Sequence, residues 1–229
     1  MAKFNIHAGH GKQDSKSCGA IGLIKESIEN RLVKDEVIRL LKAEGHTVYD
    51  CTVDYPDSKS DCVNKQVANC NKNIVDLDIS IHFNSGRKDA TGDNKTGGVE
   101  VLVANTTGTK QNYAKRVCAS IAKLGYNNRG VKVTTSLGYL NRVKNQCILI
   151  ECAFVDDKDD IKLYNYKTMA KAIVEGILDK TISATTSTNK TLYYQVVCGS
   201  YQSKENAENM KAKLEKAGFS GVFLEANYK

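Results

Sequence analysis

In residues 1–180, short apolar runs alternate with segments in which apolar residues recur every three or four positions. Short runs rich in β-branched and apolar residues predict strands at FNIHA, HTVYDC, DISIHF, GGVEVLV and QCILIECAF. Between these runs, apolar residues repeat every three or four positions, which predicts amphipathic helices. The predicted helices cover the apolar positions Ile28, Leu32, Val33, Val37, Leu40 and Leu41 up to Gly45, then Tyr113 to Leu124 up to Gly125, and Ile161 to Leu178.

This alternation of strands and helices predicts the fold class of residues 1–180. We expect an α/β domain with a mostly parallel, twisted sheet and helices on both of its faces. Ligands of such sheets bind at the carboxyl ends of the strands. A functional site is therefore expected at that edge.

The C-terminal part differs in composition and predicts a second, small unit. Residues 181–192, TISATTSTNKTL, hold seven Ser or Thr in twelve and predict an exposed linker. Residues 193–229 then read as strand, helix and strand, a small βαβ unit. Its helix is predicted to be capped by Ser203 and to end at Gly218.

Charge and cysteine content narrow the classes of partner and fold. The net charge of +7 favours polyanionic partners, but no basic run with interleaved aromatic residues indicates nucleic-acid binding. Anionic cell-wall polymers remain as partners of that kind, and a charge that serves only solubility is the alternative. The eight cysteines lack close CxxC spacing and are expected to be mostly free, buried thiols.

The N terminus and the apolar runs bear on localisation. MAKFNIHAGH has neither the positive start nor the apolar run of a secretory signal, and no apolar run approaches 18 residues. We therefore expect synthesis in a cytosol and no membrane insertion.

Polar side chains follow three of the predicted strands and point to a metal site. His10 follows the first strand, while His82 and Glu151 end two others, and Glu26 lies at the start of the first helix. Two imidazoles and one carboxylate suit Zn²⁺ and leave a fourth position for water, on which a second carboxylate could act. Each residue alone also has a purely structural interpretation, as a satisfied strand-end histidine, a helix N-terminal charge or a turn cap.

Four stretches together resemble a known enzyme family. HAGHG at 7–11, LIKESIEN around Glu26, SIHFNS at 80–85 and LIECAFVDD at 149–157 are similar to successive signatures of the zinc-dependent N-acetylmuramoyl-L-alanine amidases of the amidase 3 family. The resemblance implies that His10, Glu26 and His82 bind one Zn²⁺ and that Glu151 is catalytic. It further implies hydrolysis of the amide between N-acetylmuramic acid and L-alanine in peptidoglycan.

Other residues near these motifs receive weaker assignments. His7 stands where the family commonly has an aspartate, so we expect it to be structural or to orient His10, with a direct His7–His10 zinc pair as the alternative. His46 is expected to be a turn residue. Candidate substrate contacts are Asn84, Ser85, Asn141 and Arg142, and Arg142 has the alternative of an ordinary surface cation.

The C-terminal unit resembles half of a second known module. YQVVCGSYQSKENAENMKAKLEKAGF is similar to the first half of a SPOR domain, which binds peptidoglycan glycan strands. A unit of about 37 residues can hardly bury a core alone. We expect two chains to pair their halves in a homodimer, and a truncated remnant with little affinity is the alternative.

The expected function is that of a phage or prophage endolysin that degrades the bacterial cell wall. It would be made in the bacterial host cytoplasm without a signal peptide and act on the wall after release. The alternatives are a host autolysin or sporulation amidase, a zinc peptidase or carboxypeptidase acting on the stem peptide, and a non-catalytic wall-binding protein.

Overall fold

The computed structural model describes residues 1–182 and 203–218. The chain divides into two compact units, Met1–Ala184 and Thr185–Lys229. The first unit holds six strands, β1 (Lys3–Ala8), β2 (Thr47–Asp50), β3 (Leu77–Asn84), β4 (Val99–Val103), β5 (Asn128–Val133) and β6 (Cys147–Phe154). Its helices are α1 (Glu26–Ala43), α2 (Lys59–Cys70), α3 (Lys110–Ala122), α4 (Gly138–Arg142), α5 (Lys158–Leu163) and α6 (Tyr166–Leu178).

The strands form one mixed sheet in the order β2-β1-β3-β6-β4-β5. All neighbouring strands pair in parallel except β4 and β6, which are antiparallel. The carboxyl ends of β1, β3 and β6 therefore lie at one edge, together with the start of β4. The prediction of a mostly parallel α/β sheet is confirmed.

The two faces of the sheet have different composition because side chains alternate along each strand. One face is apolar and packs, with residues such as Ile6, Ile79 and Ile150, against α1, α3 and α6. The other face carries polar residues in rows set by the strand register. Successive rows hold Asn5, Asp78 and Cys147, then His7, Ser80 and Leu149, then Gly9, His82 and Glu151.

The structure corrects three details of the predicted elements. In α1, Ile28 and Leu32 are exposed by 43% and 38%, since only the stripe of Val33, Val37, Leu40 and Leu41 faces the sheet. The helix predicted over Ile161 to Leu178 is two helices, because the side chain of Asn165 accepts hydrogen bonds from the amides that begin α6. Strand β5 was not predicted, since NRGVKV lacks an apolar run and lies exposed at the sheet edge.

The predicted free thiols are confirmed for the seven cysteines that the structure describes. The linker over 181–192 lies almost entirely outside the described residues, as do the two predicted C-terminal strands and Cys198. Within the second unit, α7 (Lys204–Lys216) is described. The Ser203 side chain accepts a hydrogen bond from the Asn206 amide, and Gly218 follows with φ +90°.

Among the described helices, none combines the length and the apolar character that a bilayer crossing requires. His46 follows α1, and its Nδ1 accepts a hydrogen bond from the Ala2 amide at 3.1 Å, which ties this turn to β1.

His7 lies in the middle polar row and is completely buried. Its Nδ1 lies 3.0 Å from the carbonyl oxygen of Ala8, and its ring packs edge-on against Tyr139. Nε2 has no hydrogen-bond partner among the described residues, and neither has the hydroxyl of Ser80 beside it in the row. Burial lowers the pKa of His7 to about 3, so the ring is held neutral.

Replacing His7 by glutamine is expected to weaken the acid sensitivity of the fold. Unfolding exposes His7 to water, where its pKa returns to about 6.5. Between that value and about 3 the unfolded chain binds a proton that the folded chain does not, so stability falls as the pH falls. The wild type should lose up to about 1.4 kcal/mol more per pH unit than the His7→Gln variant in this window.

Urea unfolding of both proteins at a series of pH values between 7 and 4 measures this difference. Parallel stability curves for the two proteins would contradict the burial of a neutral His7.

Candidate metal centre

Three side chains from separate segments meet at the carboxyl edge of the sheet. His10 follows β1, Glu26 begins α1 and His82 lies in β3. One donor atom from each lies within 4.8 Å of the other two. His10 Nε2 is 3.4 Å and His82 Nδ1 is 3.0 Å from Glu26 Oε1, and the two imidazole rings meet edge to face.

Glu26 is the buried centre of this group. As the first residue of α1 it lies at the positive end of the helix dipole. Its Oε2 accepts a hydrogen bond from the Ala20 amide, and its Oε1 accepts one from the Phe83 amide. Burial alone would raise the pKa of Glu26, but the hydrogen bond and charge of His82 and the charge of His10 hold it below its usual value.

The surroundings shift the pKa values of the two histidines in opposite directions. Burial, together with the charge of His82, lowers the pKa of His10 to about 4, so this imidazole is neutral. Burial also opposes the charged form of His82, but its hydrogen bond to Glu26 and the negative charge of Glu151 raise its pKa. Glu26 and Glu151 thus act on His82 against the effect of its burial.

Close backbone packing positions the two rings. A side chain at Gly9 would bring its Cβ within 2.0 Å of the His82 ring, so the chain needs glycine there. Gly19 has φ +77°, and a Cβ at that position would lie 2.6 Å from Glu26 Oε2 and 2.8 Å from the His10 ring. These two glycines let the backbone close tightly around the three donors.

Arg31 fastens the loop that carries His10 to α1. Its guanidinium donates hydrogen bonds to the backbone carbonyls of His10 and Gly11 and forms an ion pair with Asp54. Five N–H groups in a fixed fork make arginine suited to hold several acceptors at once. Sequence reasoning missed this residue, because an arginine on a helix gives no signal of what it binds.

The donor set fits a metal ion such as zinc. Tetrahedral zinc with bonds of about 2.0 to 2.1 Å places neighbouring ligand atoms about 3.3 Å apart, close to the 3.0 and 3.4 Å separations here. Neutral imidazole nitrogens and a carboxylate oxygen are ordinary ligands of that ion. Among the described residues, Glu151 Oε2, a buried carboxylate oxygen in the same row as His82, has no hydrogen-bond partner.

Glu151 lies beside His82, one of the three donors. It is the register partner of His82 on one side and of Glu100 on the other. Burial raises the pKa of Glu151 to about 7, the charges of Glu26 and Glu100 add to that effect, and His82 opposes it. A carboxyl group that titrates near neutral pH can both take and return a proton.

Glu100 is a further acidic residue at this edge that the sequence analysis did not select. Its two oxygens accept hydrogen bonds from Asn84 Nδ2 at 2.8 Å and Arg129 Nε at 2.9 Å. The sequence did contain a signal for Glu100, because this residue interrupts the apolar run GGVEVLV much as Glu151 follows the apolar run CILI. The arrangement holds Asn84, one of the predicted substrate contacts, at the same edge of the sheet as the three donors.

Of the other predicted substrate contacts, Ser85 lies beside Asn84, whereas Asn141 and Arg142 belong to α4. Ser85 is exposed next to it, and its amide donates to the Asn84 side chain. The amide of Asn141 donates to the carbonyls of Thr135 and Leu137, and Arg142 donates to Gly138 and Asn64. Asn141 and Arg142 therefore hold α4 in place, which fits the alternative for Arg142.

His7 is likewise separate from the donor group. It is absent from the cluster of three donors, and its hydrogen bond within the described residues is to its own neighbour, Ala8. The geometry does not support a His7–His10 metal pair.

Comparison with known proteins identifies relatives of both parts of the chain. A family model described as N-acetylmuramoyl-L-alanine amidase matches residues 5–181, and a SPOR domain model matches residues 164–225. The two matches overlap in α6, which packs against α1 and α3 in the first unit. The SPOR match thus begins earlier than the C-terminal unit expected from the sequence.

A curated relative and two solved structures illustrate the similarity. An uncharacterized protein of Clostridium perfringens (strain 13 / Type A) is 32% identical over 184 residues, which cover 79% of this chain and 52% of the relative. The chain spans about half the length of the curated relatives it matches.

Among solved structures, the catalytic domain of the CD27L endolysin targeting Clostridia difficile has a TM-score of 0.70 and 28% identity, covering 80% of this chain and 100% of that one. The N-acetylmuramoyl-L-alanine amidase AmiC2 of Nostoc punctiforme shares the fold, with a TM-score of 0.63 and 24% identity over 78% of this chain and 96% of that one.

Replacing Gly9 by alanine is expected to weaken metal binding. The added Cβ would overlap the His82 ring and displace its Nδ1 from the donor group. Loss of such a supporting contact typically costs about 10- to 100-fold in metal affinity. Competition with a zinc-binding dye measures the affinity.

Gly138→Ala is a matched control, because its Cβ meets nothing closer than the flexible Arg142 side chain at 3.4 Å. Equal zinc affinity in a folded Gly9→Ala protein and in this control would contradict the assigned donor group.

Proposed function

Because the chain belongs to the N-acetylmuramoyl-L-alanine amidase family, we propose that it hydrolyses the amide bond between N-acetylmuramic acid and L-alanine in bacterial peptidoglycan. The observation that carries this proposal is the convergence of His10, Glu26 and His82 beside Glu151, whose Oε2 is buried and has no hydrogen-bond partner in the described part of the chain. All four residues lie within the matched region, residues 5–181.

Zinc is the metal we assign to the three donors. When bound by His10, Glu26 and His82, it would polarise the scissile carbonyl and lower the pKa of a water molecule from about 15.7 toward about 7. The neutral state of His10 and the charged state of Glu26 suit them to this task without a change of protonation. His82 would give up the proton that it shares with Glu26.

Glu151 carries the proton in the proposed reaction. Its Oε2 accepts a proton from the attacking water and then delivers it to the nitrogen of L-alanine as the amide bond breaks. General acid and base catalysis of this kind typically contributes about 10² to 10⁴-fold to the rate. Asn84, fixed by Glu100, is in a position to orient the substrate next to this group.

The alternative activities make different demands on the same site. A zinc peptidase acting on the stem peptide could use the same four residues, so the geometry alone does not separate the two, and the family match favours the amidase. A non-catalytic wall-binding protein would have no use for Glu151, because its buried Oε2 has no hydrogen-bond partner within residues 1–182 and 203–218, and such an atom is costly.

For the biological role we extend the proposal to an endolysin. The likeness to an endolysin catalytic domain over its full length supports this role. In that role the protein is made in the bacterial cytoplasm and reaches the wall after release. A host autolysin or sporulation amidase remains the alternative.

The Glu151→Gln variant is expected to lose hydrolysis while it keeps the metal and the fold. Glutamine has nearly the same shape but cannot take a proton, so the rate should fall by about 10² to 10⁴-fold. The decrease in turbidity of purified bacterial cell walls measures the rate, and elemental analysis of the protein measures bound zinc. Glu36→Gln is the matched control, since Glu36 pairs with Arg39 in the middle of α1.

Analysis of the products distinguishes the enzyme classes. An amidase releases the free amine of L-alanine and leaves the lactyl carboxylate on the sugar. Retention of alanine on the sugar would identify a peptidase, and undiminished lysis by Glu151→Gln would contradict the assigned role of Glu151.

The C-terminal unit is proposed to bind the wall as a homodimer. Helix α7 has no buried residue, and the apolar side chains of Ala207, Met210 and Leu214 are only partly covered. The SPOR match supports wall binding by this part of the chain. A second copy of the chain would cover these apolar positions of α7.

Sedimentation equilibrium of the full chain is expected to give a dimer at micromolar concentration. Leu214→Glu should weaken the dimer by at least about tenfold, because it places a charge on the partly covered face of α7. Lys213→Glu, one residue away on the exposed side, should leave it nearly unchanged. A monomeric wild type would exclude the homodimer and favour the truncated remnant.

A further inference from the structure

Arg129 lies at the same edge of the sheet as Glu151, two strands away. Strand β4 runs antiparallel to β6, and Glu100 is the register partner of Glu151. Strand β5 pairs in parallel with β4, and a shift in their register places Arg129 and Gly130 opposite Glu100. Glu151, Glu100 and Arg129 therefore form one row across β6, β4 and β5.

The shift in register is a β-bulge that sets the position of Arg129. Two residues of β5, Arg129 and Gly130, oppose the single residue Glu100 of β4. Gly130 has φ +77°, a backbone conformation that suits glycine, and its amide donates a hydrogen bond to Asn128 Oδ1 at 3.0 Å. Bulges are common next to active sites, where they redirect a side chain. The local backbone of β5 is thus shaped around Arg129.

Two contacts hold the guanidinium of Arg129. Its Nε donates a hydrogen bond to Glu100 Oε2 at 2.9 Å, and its central carbon lies 5.1 Å from the centre of the Phe154 ring. A guanidinium packs favourably on the face of an aromatic ring. The other oxygen of Glu100 accepts a hydrogen bond from Asn84. The cation is therefore held in place at the rim of the site, with 35% of its side chain exposed.

These contacts use only one of the three guanidinium nitrogens of Arg129. Within residues 1–182 and 203–218, neither Nη1 nor Nη2 donates a hydrogen bond. The planar fork of an arginine can bind both oxygens of a carboxylate at once. Because the side chain is partly exposed, this fork is accessible to a carboxylate that approaches from solvent.

The substrate of the proposed hydrolysis brings a carboxylate to this edge. The stem peptide of peptidoglycan continues beyond L-alanine with an acidic residue, whose carboxylate is free in some cell walls and amidated in others. Glu26, Glu100 and Glu151 all lie at this edge of the sheet and would repel a free carboxylate. A cation at the rim is therefore needed to bind it.

The distances agree with a substrate that extends from β6 toward β5. Neighbouring strands lie about 4.8 Å apart, so β5 is about 10 Å from β6. Consecutive Cα atoms of a peptide are about 3.8 Å apart, so the acidic residue beyond L-alanine lies about 7 to 8 Å from the scissile carbonyl. An arginine side chain on β5 covers the difference.

From this arrangement we propose that Arg129 determines specificity on the peptide side of the substrate, by binding the free carboxylate of the residue that follows L-alanine. This inference rests on the proposed amidase function. Arg129 binds the substrate and takes no part in the proton transfer assigned to Glu151. The enzyme thus prefers peptidoglycan in which this carboxylate is free over peptidoglycan in which it is a carboxamide.

Two substrates that differ in one group test the proposal. Uncross-linked peptidoglycan strands are prepared with this carboxylate either free or converted to the carboxamide, and the release of L-alanine amine by the full-length protein is measured. The wild type should have a kcat/KM at least about tenfold higher for the free carboxylate, because the carboxamide loses a charged hydrogen-bonded pair. The difference should lie mainly in KM, since the contact is made equally in the bound substrate and the transition state.

The ratio of the two kcat/KM values separates specificity from structural damage. Arg129→Gln removes the charge, so the ratio should fall to about one. Loss of the ion pair with Glu100 alone would slow both substrates equally and leave the ratio unchanged. Arg129→Lys keeps the charge without the fork and should restore part of the preference. Lys132→Gln, on the same exposed strand, is the matched control and should keep the wild-type ratio.

The outcomes distinguish this inference from the function on which it rests. A wild-type ratio near one, or an unchanged ratio in Arg129→Gln, would overturn the role of Arg129 and leave the amidase proposal intact. If the wild type released no L-alanine amine from either substrate, the amidase proposal would be wrong and the role of Arg129 with it.

Discussion

The group of three donors at the carboxyl edge of the sheet depends on the hydrogen bonds of one buried group, the Glu26 carboxylate. It binds the amides of Ala20 and Phe83 and both imidazoles, and so joins the first loop, α1 and β3 through a single buried charge. A buried carboxylate is tolerated only when its oxygens are satisfied. Folding of these segments and assembly of the donor group are therefore the same event, and loss of Glu26 would disturb both.

Much of the fold follows from the sequence because the sheet is buried on both faces. The apolar runs of β1, β3, β4 and β6 and the helical periods of α1 and α3 specify their elements locally. Strand β5 escaped prediction because an exposed edge strand needs no apolar run. The break before α6 depends on the cap formed by Asn165, a contact that competes with an otherwise continuous helical pattern.

The metal donors could be predicted only in part from the sequence. Polar residues after apolar runs marked His10, His82 and Glu151, and a resemblance to known motifs linked them to Glu26. The residues that support this group, Gly9, Arg31 and Glu100, act through backbone approach and register. These contacts form between segments that are distant in the chain, so no local sequence pattern predicts them.

Strand β5 also bears on how this protein behaves at high concentration. It forms the outer edge of the sheet, and its register with β4 shifts next to Gly130, which has φ +77°. Arg129 and Lys132 place positive charges along the same short strand. An irregular, charged border is a poor template for another polypeptide to add to. Strand β5 is thus poorly suited to pair with a strand of a neighbouring molecule, which limits fibril-like growth at this edge of the sheet.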